Sequence, residues 1–201
     1  MKLERKAIAS AARAWWTSLQ PAVHNQRAYP GDRAALARLR RASDALTAAS
    51  EPAALDLFRR LAPLDPGASP DQVAAALGRV AVLASLLAHV RKDDTKPLGR
   101  ALGPTDLKAP ETAKLKSLRL ARLLAARGDE EIATAFRRAI ALLDGTANVG
   151  DLAWLVLTWD RDERGDLVRT LFAFAYHDAS AQAPDAPPPD NSETLAVTGQ
   201  A

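Results

Sequence analysis

The sequence predicts an all-α protein with two small helical-bundle lobes, a Pro/Gly-containing connector between them and a disordered C-terminal tail. Hydrophobic residues make up 48% of the chain, enough for a core, while aromatic residues make up only 5%. Alanine and leucine therefore dominate the apolar set, and both favour helices over sheets. The third observation is a regular succession of helix start and stop signals around apolar residues at helical spacing. We place the lobes at residues 1–91 and 111–178, the connector at 92–110 and the tail at 179–201.

The first predicted helix runs from Lys2 to Leu19. Its apolar residues recur at helical spacing: Ile8, Ala12, Trp15 and Leu19. Trp15 and Trp16 point about 100° apart on a helix, so both cannot face the same core. Residues 20–30 are predicted to be a loop between Pro21 and Pro30. His24 lies in this loop without a second ligand nearby, so we do not assign it to a metal site.

An arginine-rich helix is predicted from about Arg33 to Ala49, after the Pro30-Gly31 break and an N-cap at Asp32. One stripe of this helix suits a core: Leu36, Leu39, Ala42 and Leu46. Arg33, Arg40 and Arg41 lie off the stripe. This face is either an ordinary solvated surface or a face that binds anions, and the second interpretation makes the three arginines candidate nucleic-acid-binding residues.

Two more helices complete the first lobe. Pro52 is well placed at the first position of a short helix that continues to Leu61. Ser69, Pro70 and Gln72 form a capping-box pattern at the start of a helix that extends to about Val90 and is apolar on most sides. We expect this helix to be central and His89, near its end, to be structural. The longest uncharged apolar run, 80–90, is too short to span a membrane.

The second lobe begins with another basic helix, predicted from Glu111 to Arg127 after a connector that contains a short helical turn at 98–102. Lys116, Arg119 and Arg122 are spaced i, i+3, i+6 and form a row along one side. Two interpretations stay open for this row. It faces a polyanion, or it forms salt bridges with the acidic turn that follows.

The remaining helices are predicted at about 129–144, 149–159 and from 162 or 166 to Tyr176. Arg137 and Arg138 lie outside the apolar stripe of the helix at 129–144. Gly145 is a suitable C-cap for this helix. Asn148 with Asp151 resembles an N-cap pair for the second. The last helix carries five core candidates: Leu167, Val168, Leu171, Phe172 and Phe174. Its Pro-rich continuation is the segment for which we expect disorder.

The distribution of charge and the absence of known catalytic motifs limit the classes of function that the sequence allows. The chain has 27 Lys and Arg against 24 Asp and Glu, and three of the acids but none of the bases lie in residues 179–201. The body before residue 179 is therefore moderately basic, which suits a polyanion partner. Cysteine is absent, and no P-loop, dinucleotide turn, zinc-binding His motif or nucleophile elbow occurs. We expect no catalytic residue, metal or cofactor, and a cytoplasmic protein without a membrane partner.

Several short segments together resemble one known family over Ala14 to Tyr176. They are the tryptophan pair followed by Leu19, GDRAALARLRRAS after Pro30, LGRALG at 98–103, RLLAARGDEEI at 122–132, FRRAIALLDG with TANV behind it, and WDRDERGDLVRTLFAF near the end. In this order and spacing, the chain resembles the CasB family, the small subunit of Cascade, the type I-E CRISPR surveillance complex.

The resemblance implies a two-lobed, all-helical subunit without catalytic activity. It also implies a pair of copies along the inner face of the complex, in contact with the backbone subunits and the large subunit. Such a pair presents basic residues to the guide RNA, the target DNA and the displaced strand, and stabilises the R-loop in antiviral defence. Carried over to this sequence, the basic residues are Arg40, Arg41, Arg100, Arg119, Arg122, Arg137 and Arg138.

Three functions follow for testing. The first is a non-catalytic clamp that neutralises nucleic-acid backbone without reading sequence. The second is a purely structural helical adaptor whose arginines pair with neighbouring subunits. The third is a free-standing helical DNA-binding regulator, which needs amide or arginine side chains aimed at base edges. The helix after Gly31 carries arginines but no amide side chains, so the regulator ranks last.

Overall fold

The computed structural model describes residues 4–24, 27–64, 67, 69–106 and 108–177. The fold of this part of the chain is all-helical, as the sequence predicts. The helices are α1 Arg5–Leu19, α2 Arg33–Arg41, α3 Ala45–Ala49, α4 Pro52–Leu61, α5 Pro70–His89, α6 Leu98–Leu102, α7 Ser117–Ala125, α8 Gly128–Leu142, α9 Val149–Thr158 and α10 Asp162–His177. Single 3-10 turns lie at Ala62–Leu64 and Pro110–Thr112. The predicted tail at 179–201 lies outside the described residues.

Short strands accompany the helices. β1 (Ala22–His24) and β2 (Arg27–Tyr29) pair antiparallel within the segment that was predicted to be a loop. β3 (Lys92–Asp93) and β4 (Thr146–Ala147) pair in parallel. This second pair joins the connector to the turn before α9, so it links chain segments more than fifty residues apart.

Helix α5 lies at the centre of the fold. It packs against α2, α3 and α4 on one side and against α8 and α9 on another. Residues Val80 to Ala88 are all buried, whereas the first turns are mostly exposed or half-buried. Helix α5 is long and apolar enough to cross a membrane, but half of its apolar stretch is buried inside the protein. This burial is typical of the core helix of a globular fold.

One continuous hydrophobic cluster contains residues from before and after the connector, from Ile8 on α1 to Tyr176 on α10. Helix α1 packs against α9, and α6 packs against α10. A polar network reinforces the first contact: Arg13 donates to Asp93 (3.1 Å) and to Asn148 (2.7 Å). The division into two lobes at residues 92–110 stays a prediction.

The helix starts that the sequence marks are confirmed. Asp32 accepts a hydrogen bond from the Ala35 amide at 2.8 Å, and Ser69 with Gln72 forms a complete capping box at the start of α5. Asn148 accepts a hydrogen bond from the Asp151 amide at 2.9 Å at the start of α9. These caps satisfy backbone N–H groups that would otherwise have no partner within the helix.

The predicted helix over 33–49 is wrong in one respect, because it breaks between α2 and α3. Asp44 accepts hydrogen bonds from the Thr47 amide (2.7 Å) and from the Ser43 hydroxyl (2.8 Å), and it caps a new helix. Such local side-chain bonds compete with helix continuation. The break turns Leu46 away from the core, so this predicted core residue is 79% exposed.

The second basic helix begins later than the sequence predicts. Glu111 lies in a 3-10 turn, and α7 starts only at Ser117. The chain before it is extended because the Leu115 amide donates to the Leu102 carbonyl at 3.0 Å, which pairs this segment with α6. Lys116 therefore precedes the helix rather than continuing the row of Arg119 and Arg122. Leu118 is 64% exposed, so α7 is less buried than predicted.

The last helix has the predicted extent but a narrower core face. Val168 and Phe172 are buried as predicted, together with Tyr176. Leu167, Leu171 and Phe174 were predicted to be core residues, but each is more than half exposed. Because α10 packs mainly against α6 and α9, its outward side has no helix of this chain over it in the described part.

The two most deeply buried tryptophans give a first testable prediction. The Trp15 indole donates to the Ala53 carbonyl at 2.9 Å, which ties α1 to α4. The buried Trp159 indole N–H has no acceptor within the described part of the chain, and its ring contacts Phe136 and Phe172 edge-on. Both side chains are 0% exposed. We expect Trp15→Phe to lower the free energy of unfolding by about 1 kcal/mol more than Trp159→Phe does, since only the first loses a hydrogen bond.

Urea unfolding of the two variants measures this difference, and each serves as the control for the other. The ring-to-ring change is the same in both, so the reduction in side-chain volume is matched. Equal losses of stability, or a larger loss for Trp159→Phe, would contradict the prediction.

Candidate nucleic-acid interface

A groove of about 970 Å³ lies between α7 and α8 and gathers three of the predicted binding residues. Arg119 and Arg122 line it from α7, whose Leu120 and Leu123 are buried, and Leu123 forms part of the groove wall. Arg138 reaches it from α8. All three arginines are exposed, and none of the ion pairs among the described residues involves them.

Two carboxylates, Glu130 and Glu131, also line the groove, at the start of α8. Glu131 accepts a hydrogen bond from the Arg127 amide at 2.9 Å, which caps the first turn of the helix. Acidic side chains at this position also interact favourably with the positive end of the helix dipole. The other acid of the turn, Asp129, pairs with Arg79 on α5 at 2.5 Å. The described contacts therefore give Asp129 and Glu131 partners other than the α7 arginines.

A second group of basic residues surrounds the end of α5. Arg40 on α2 donates its Nε to the Ala88 carbonyl at 2.6 Å. Arg137 on α8 donates to the Ala42 carbonyl at 3.4 Å. The positive charges of both arginines, and of Arg91 just beyond the helix, disfavour protonation of the His89 imidazole. Burial first, and then these three positive charges, lower the pKa of His89 below its ordinary value.

Helix α8 contributes to both places. Arg137 and Arg138 are neighbours in sequence and therefore point about 100° apart around the helix. Arg138 lines the α7–α8 groove, whereas Arg137 lies with Arg40 near the end of α5. The adjacent pair thus places one charge on each of two sides of the same helix.

The remaining predicted residues belong to neither group. Arg33 and Arg41 on α2 are exposed. Lys116 donates to the Glu111 carbonyl at 2.5 Å, and the half-buried Arg100 donates to the Pro104 carbonyl at 2.7 Å. Arg38, on the same helix as Arg33, is paired with Glu51 at 2.6 Å.

Sequence reasoning missed Arg91. It follows α5 directly, at the end of the predicted first lobe, and its backbone amide donates to the Gly145 carbonyl at 2.7 Å, which fixes it beside the turn after α8. The only available signal was a basic residue directly after a helix end, a position that favours cations for reasons unrelated to a ligand. Its grouping with Arg40 and Arg137 depends on contacts between distant parts of the chain.

The fold and the exposed arginines define an all-helical protein with a basic groove on its surface. Among the described residues, no group of three or more His, Asp or Glu side chains could hold a metal ion.

Residues 35–177 match the family model of CRISPR-associated protein Cse2, and the chain belongs to that family. This is the CasB family that the sequence motifs resemble, the small subunit of the type I-E Cascade. The matched residues include α7 and α2 from its third residue onward, and they exclude Arg33, Trp15 and Trp16. No curated protein and no solved structure matches the chain. The family consists of structural subunits of Cascade and is not known as an enzyme family, and Cascade is a cytoplasmic complex of bacteria.

Proposed function

We propose that this small subunit of Cascade binds the backbone of guide RNA and target DNA without reading sequence, and that it stabilises the R-loop with its displaced strand. The free energy of exchanging a DNA duplex for an RNA–DNA duplex and a displaced strand is close to zero. Modest protein contacts with the nucleic-acid backbone therefore shift this equilibrium. The planar guanidinium group suits this role because it donates two hydrogen bonds to one phosphate. A second copy of the chain, the backbone subunits and the large subunit are the proposed protein partners.

The observation that carries this proposal is the α7–α8 groove with its three exposed arginines. Arg119, Arg122 and Arg138 come from two helices and have no carboxylate partner within the described residues. Three cations in one groove can contact neighbouring phosphates of one strand, and each phosphate they neutralise releases condensed counterions. Glu130 and Glu131 in the same lining leave the groove with a net charge of one positive unit. Among the described residues that line the groove there is no aromatic side chain of the kind that stacks on bases.

The test measures affinity for a single-stranded oligonucleotide over a range of salt concentrations. We expect the Arg119→Gln/Arg122→Gln/Arg138→Gln variant to flatten the slope of log affinity against log salt by about 0.7 for each phosphate that is no longer neutralised, and so by about 2 in total. The reduction in affinity is expected to be equal for two oligonucleotides of unrelated sequence, because binding to phosphates carries no sequence information.

A matched control removes three exposed charges outside the groove, Lys6 on α1, Arg59 on α4 and Lys96 before α6, each replaced by Gln. Its net charge equals that of the groove variant, so the comparison isolates position from total charge. If the groove variant and this control had the same salt slope, the groove would not be part of the binding surface.

A structural adaptor is the second candidate, and α10 favours it. Leu167, Leu171 and Phe174 are spaced i, i+4, i+7 and form one exposed apolar stripe, which is typical of a surface covered by another protein. If the subunit acts only in this way, Cascade assembled with the groove variant retains the DNA affinity of the wild-type complex. A lower affinity of the assembled complex favours the nucleic-acid clamp instead.

A further inference from the structure

The tail, residues 179–201, has a charge opposite to that of the arginines in the α7–α8 groove. It contains three acidic residues, Asp185, Asp190 and Glu193, and no Lys or Arg. The three groove arginines are exposed, and none of the ion pairs among the described residues uses them. A carboxylate accepts two parallel hydrogen bonds from one guanidinium group, so the tail and the groove are complementary in charge.

The end of α10 fixes the point at which the tail begins. Helix α10 ends at His177, and the Tyr176 hydroxyl just before it donates to the Leu115 carbonyl at 2.6 Å. Leu115 is one of the residues that line the groove. The Tyr176 backbone also packs so closely on Gly103 that a Cβ there would overlap it. The tail therefore begins beside the α7 edge of the groove.

The length of the tail is sufficient to reach all three arginines. Asp185 is the eighth residue after His177, and an extended chain spans about 26 Å over eight residues. Helix α7 has nine residues, so it is only about 14 Å long. The prolines at 184 and 187–189 favour an extended backbone over a helix, which keeps this reach available.

The wall of the groove suits a peptide as well as an anion. Three leucines and four alanines make up more than half of its lining residues. In the tail, Glu193 is followed closely by Leu195 and Val197. A phosphate backbone pairs with the arginines but has no apolar side chain for this wall. The segment from Asp185 to Val197 has both kinds of group.

We propose that the tail binds in the α7–α8 groove of its own chain and competes there with nucleic acid. The competition rests on the function proposed above for the groove, whereas the docking of the tail does not. Because tail and groove belong to one chain, the effective concentration of the tail is on the order of millimolar at any protein concentration. Exposed carboxylate–arginine pairs are individually weak, so a polyanion that releases counterions displaces the tail.

The first experiment locates the tail without any nucleic acid. The chain has no cysteine, so Ser192→Cys carries a nitroxide label at a single place in the full-length protein. We expect the label to broaden the NMR amide signals of Thr134 and Ala141, which line the groove. The signals of α4, which packs against α1, α3 and α5, are expected to stay sharp. The broadening is expected to disappear in the groove variant, because the tail acids then lose their partners.

Three results of the labelling experiment would overturn the proposal. Groove signals as sharp as those of α4, or equally broad in the groove variant, would mean that the arginines do not hold the tail. Broadening confined to Leu167, Leu171 and Phe174 would place the tail on the exposed stripe of α10. An isotope-labelled chain without nitroxide, mixed with an unlabelled chain that carries it, tests for exchange between copies. Broadening in this mixture would place the tail of one copy in the groove of another.

The second experiment measures the competition in the full-length protein. The Asp185→Asn/Asp190→Asn/Glu193→Gln variant, the tail variant, is expected to bind a single-stranded oligonucleotide about threefold more tightly than wild type. A tail that fills the groove for about two thirds of the time leaves one third of the molecules competent, and the apparent affinity is reduced by that fraction. Added to the groove variant, the same tail substitutions are expected to give no such gain.

A matched control removes three exposed acids elsewhere, as Glu4→Gln/Asp71→Asn/Glu111→Gln. None of the ion pairs among the described residues involves these acids. Its net charge equals that of the tail variant, so its affinity measures the general effect of a more positive chain. The threefold gain of the tail variant is expected beyond this control, and equal affinity of the two variants overturns the competition.

The two experiments distinguish the failure of this proposal from the failure of the proposed function. Selective broadening in the groove together with an unchanged salt slope for the groove variant supports docking of the tail and overturns nucleic-acid binding by the groove. Sharp groove signals together with a flattened salt slope support the proposed function and overturn docking of the tail.

Discussion

We expect Arg79→Met to lower the free energy of unfolding by about 3 to 5 kcal/mol, the range for breaking a buried ion pair by removing one partner. Arg79 is 12% exposed and binds both carboxylate oxygens of Asp160, at 2.8 and 3.1 Å. It also binds Asp129 at 2.5 Å and donates to the Val156 carbonyl at 3.0 Å. These contacts join α5 to α8 and to the end of α9. The variant therefore loses the side-chain contacts that hold the three helices together.

The pH dependence of this destabilisation is a second readout in the same experiment. Burial by itself would raise the pKa of Asp160, but hydrogen bonds from Arg79 and from the Gly128 amide lower it below its ordinary value. A lowered folded pKa means that the stabilisation is complete above the unfolded value of about 3.9 and is lost as pH falls through the folded value. The difference between wild type and variant is therefore largest near neutral pH and narrows below about pH 4.

Guanidinium unfolding with two comparison variants tests the prediction. Arg60→Met breaks an exposed pair with Asp56 on the same helix and is expected to cost about 0.5 kcal/mol or less. Adding Asp160→Leu to Arg79→Met is expected to restore part of the stability, because the double variant no longer leaves that carboxylate without its partner. If Arg79→Met were as stable as Arg60→Met, the network would not hold the helices together.

We expect Gly103→Ala to lower the free energy of unfolding by about 1 to 3 kcal/mol, through overpacking. The φ of Gly103 is −74°, which alanine adopts easily, so the cost comes from space alone. A Cβ at this position would lie 2.0 Å from the Tyr176 carbonyl oxygen and 2.9 Å from its carbon. These are backbone atoms, so α10 must move away from the end of α6.

The movement is expected to reach the α7–α8 groove. The Tyr176 hydroxyl donates to the Leu115 carbonyl at 2.6 Å, and the Leu115 amide donates to the Leu102 carbonyl at 3.0 Å. Leu115 lines the groove just before α7. Separating α6 from α10 therefore loosens the start of the helix that carries Arg119 and Arg122.

Thermal or urea unfolding measures the change in stability, and a spectrophotometric tyrosine titration measures the displacement. Burial raises the pKa of Tyr176, and we expect Gly103→Ala to return it toward the ordinary value. Gly67→Ala is the matched control, because a Cβ there has no atom within 4 Å, and its stability is expected to equal that of wild type. Equal stability of the two alanine variants would show that α6 and α10 separate at no cost.

Local signals in the sequence determined where many helices begin and what family the chain belongs to. Asp32, Ser69 and Asn148 satisfy backbone N–H groups within three residues of themselves, so their effect is readable without any knowledge of distant contacts. The order and spacing of the motifs from GDRAALARLRRAS onward led to the same family that the match over residues 35–177 shows. The helical spacing of Arg119 and Arg122 likewise placed both on one side of α7 before the fold was known.

Only the tertiary structure decided which basic residues lie together, because that depends on contacts between segments far apart in the chain. Arg137 and Arg138 are adjacent in sequence, yet Arg138 lines the groove while Arg137 donates to the Ala42 carbonyl at the end of α2, the helix that carries Arg40, 97 positions before it. The cap at Asp44 competed with a continuous helix and exposed Leu46, which periodicity had assigned to the core. Periodicity identifies the apolar side of a helix, but the neighbouring elements decide how much of that side is covered and which charges find partners.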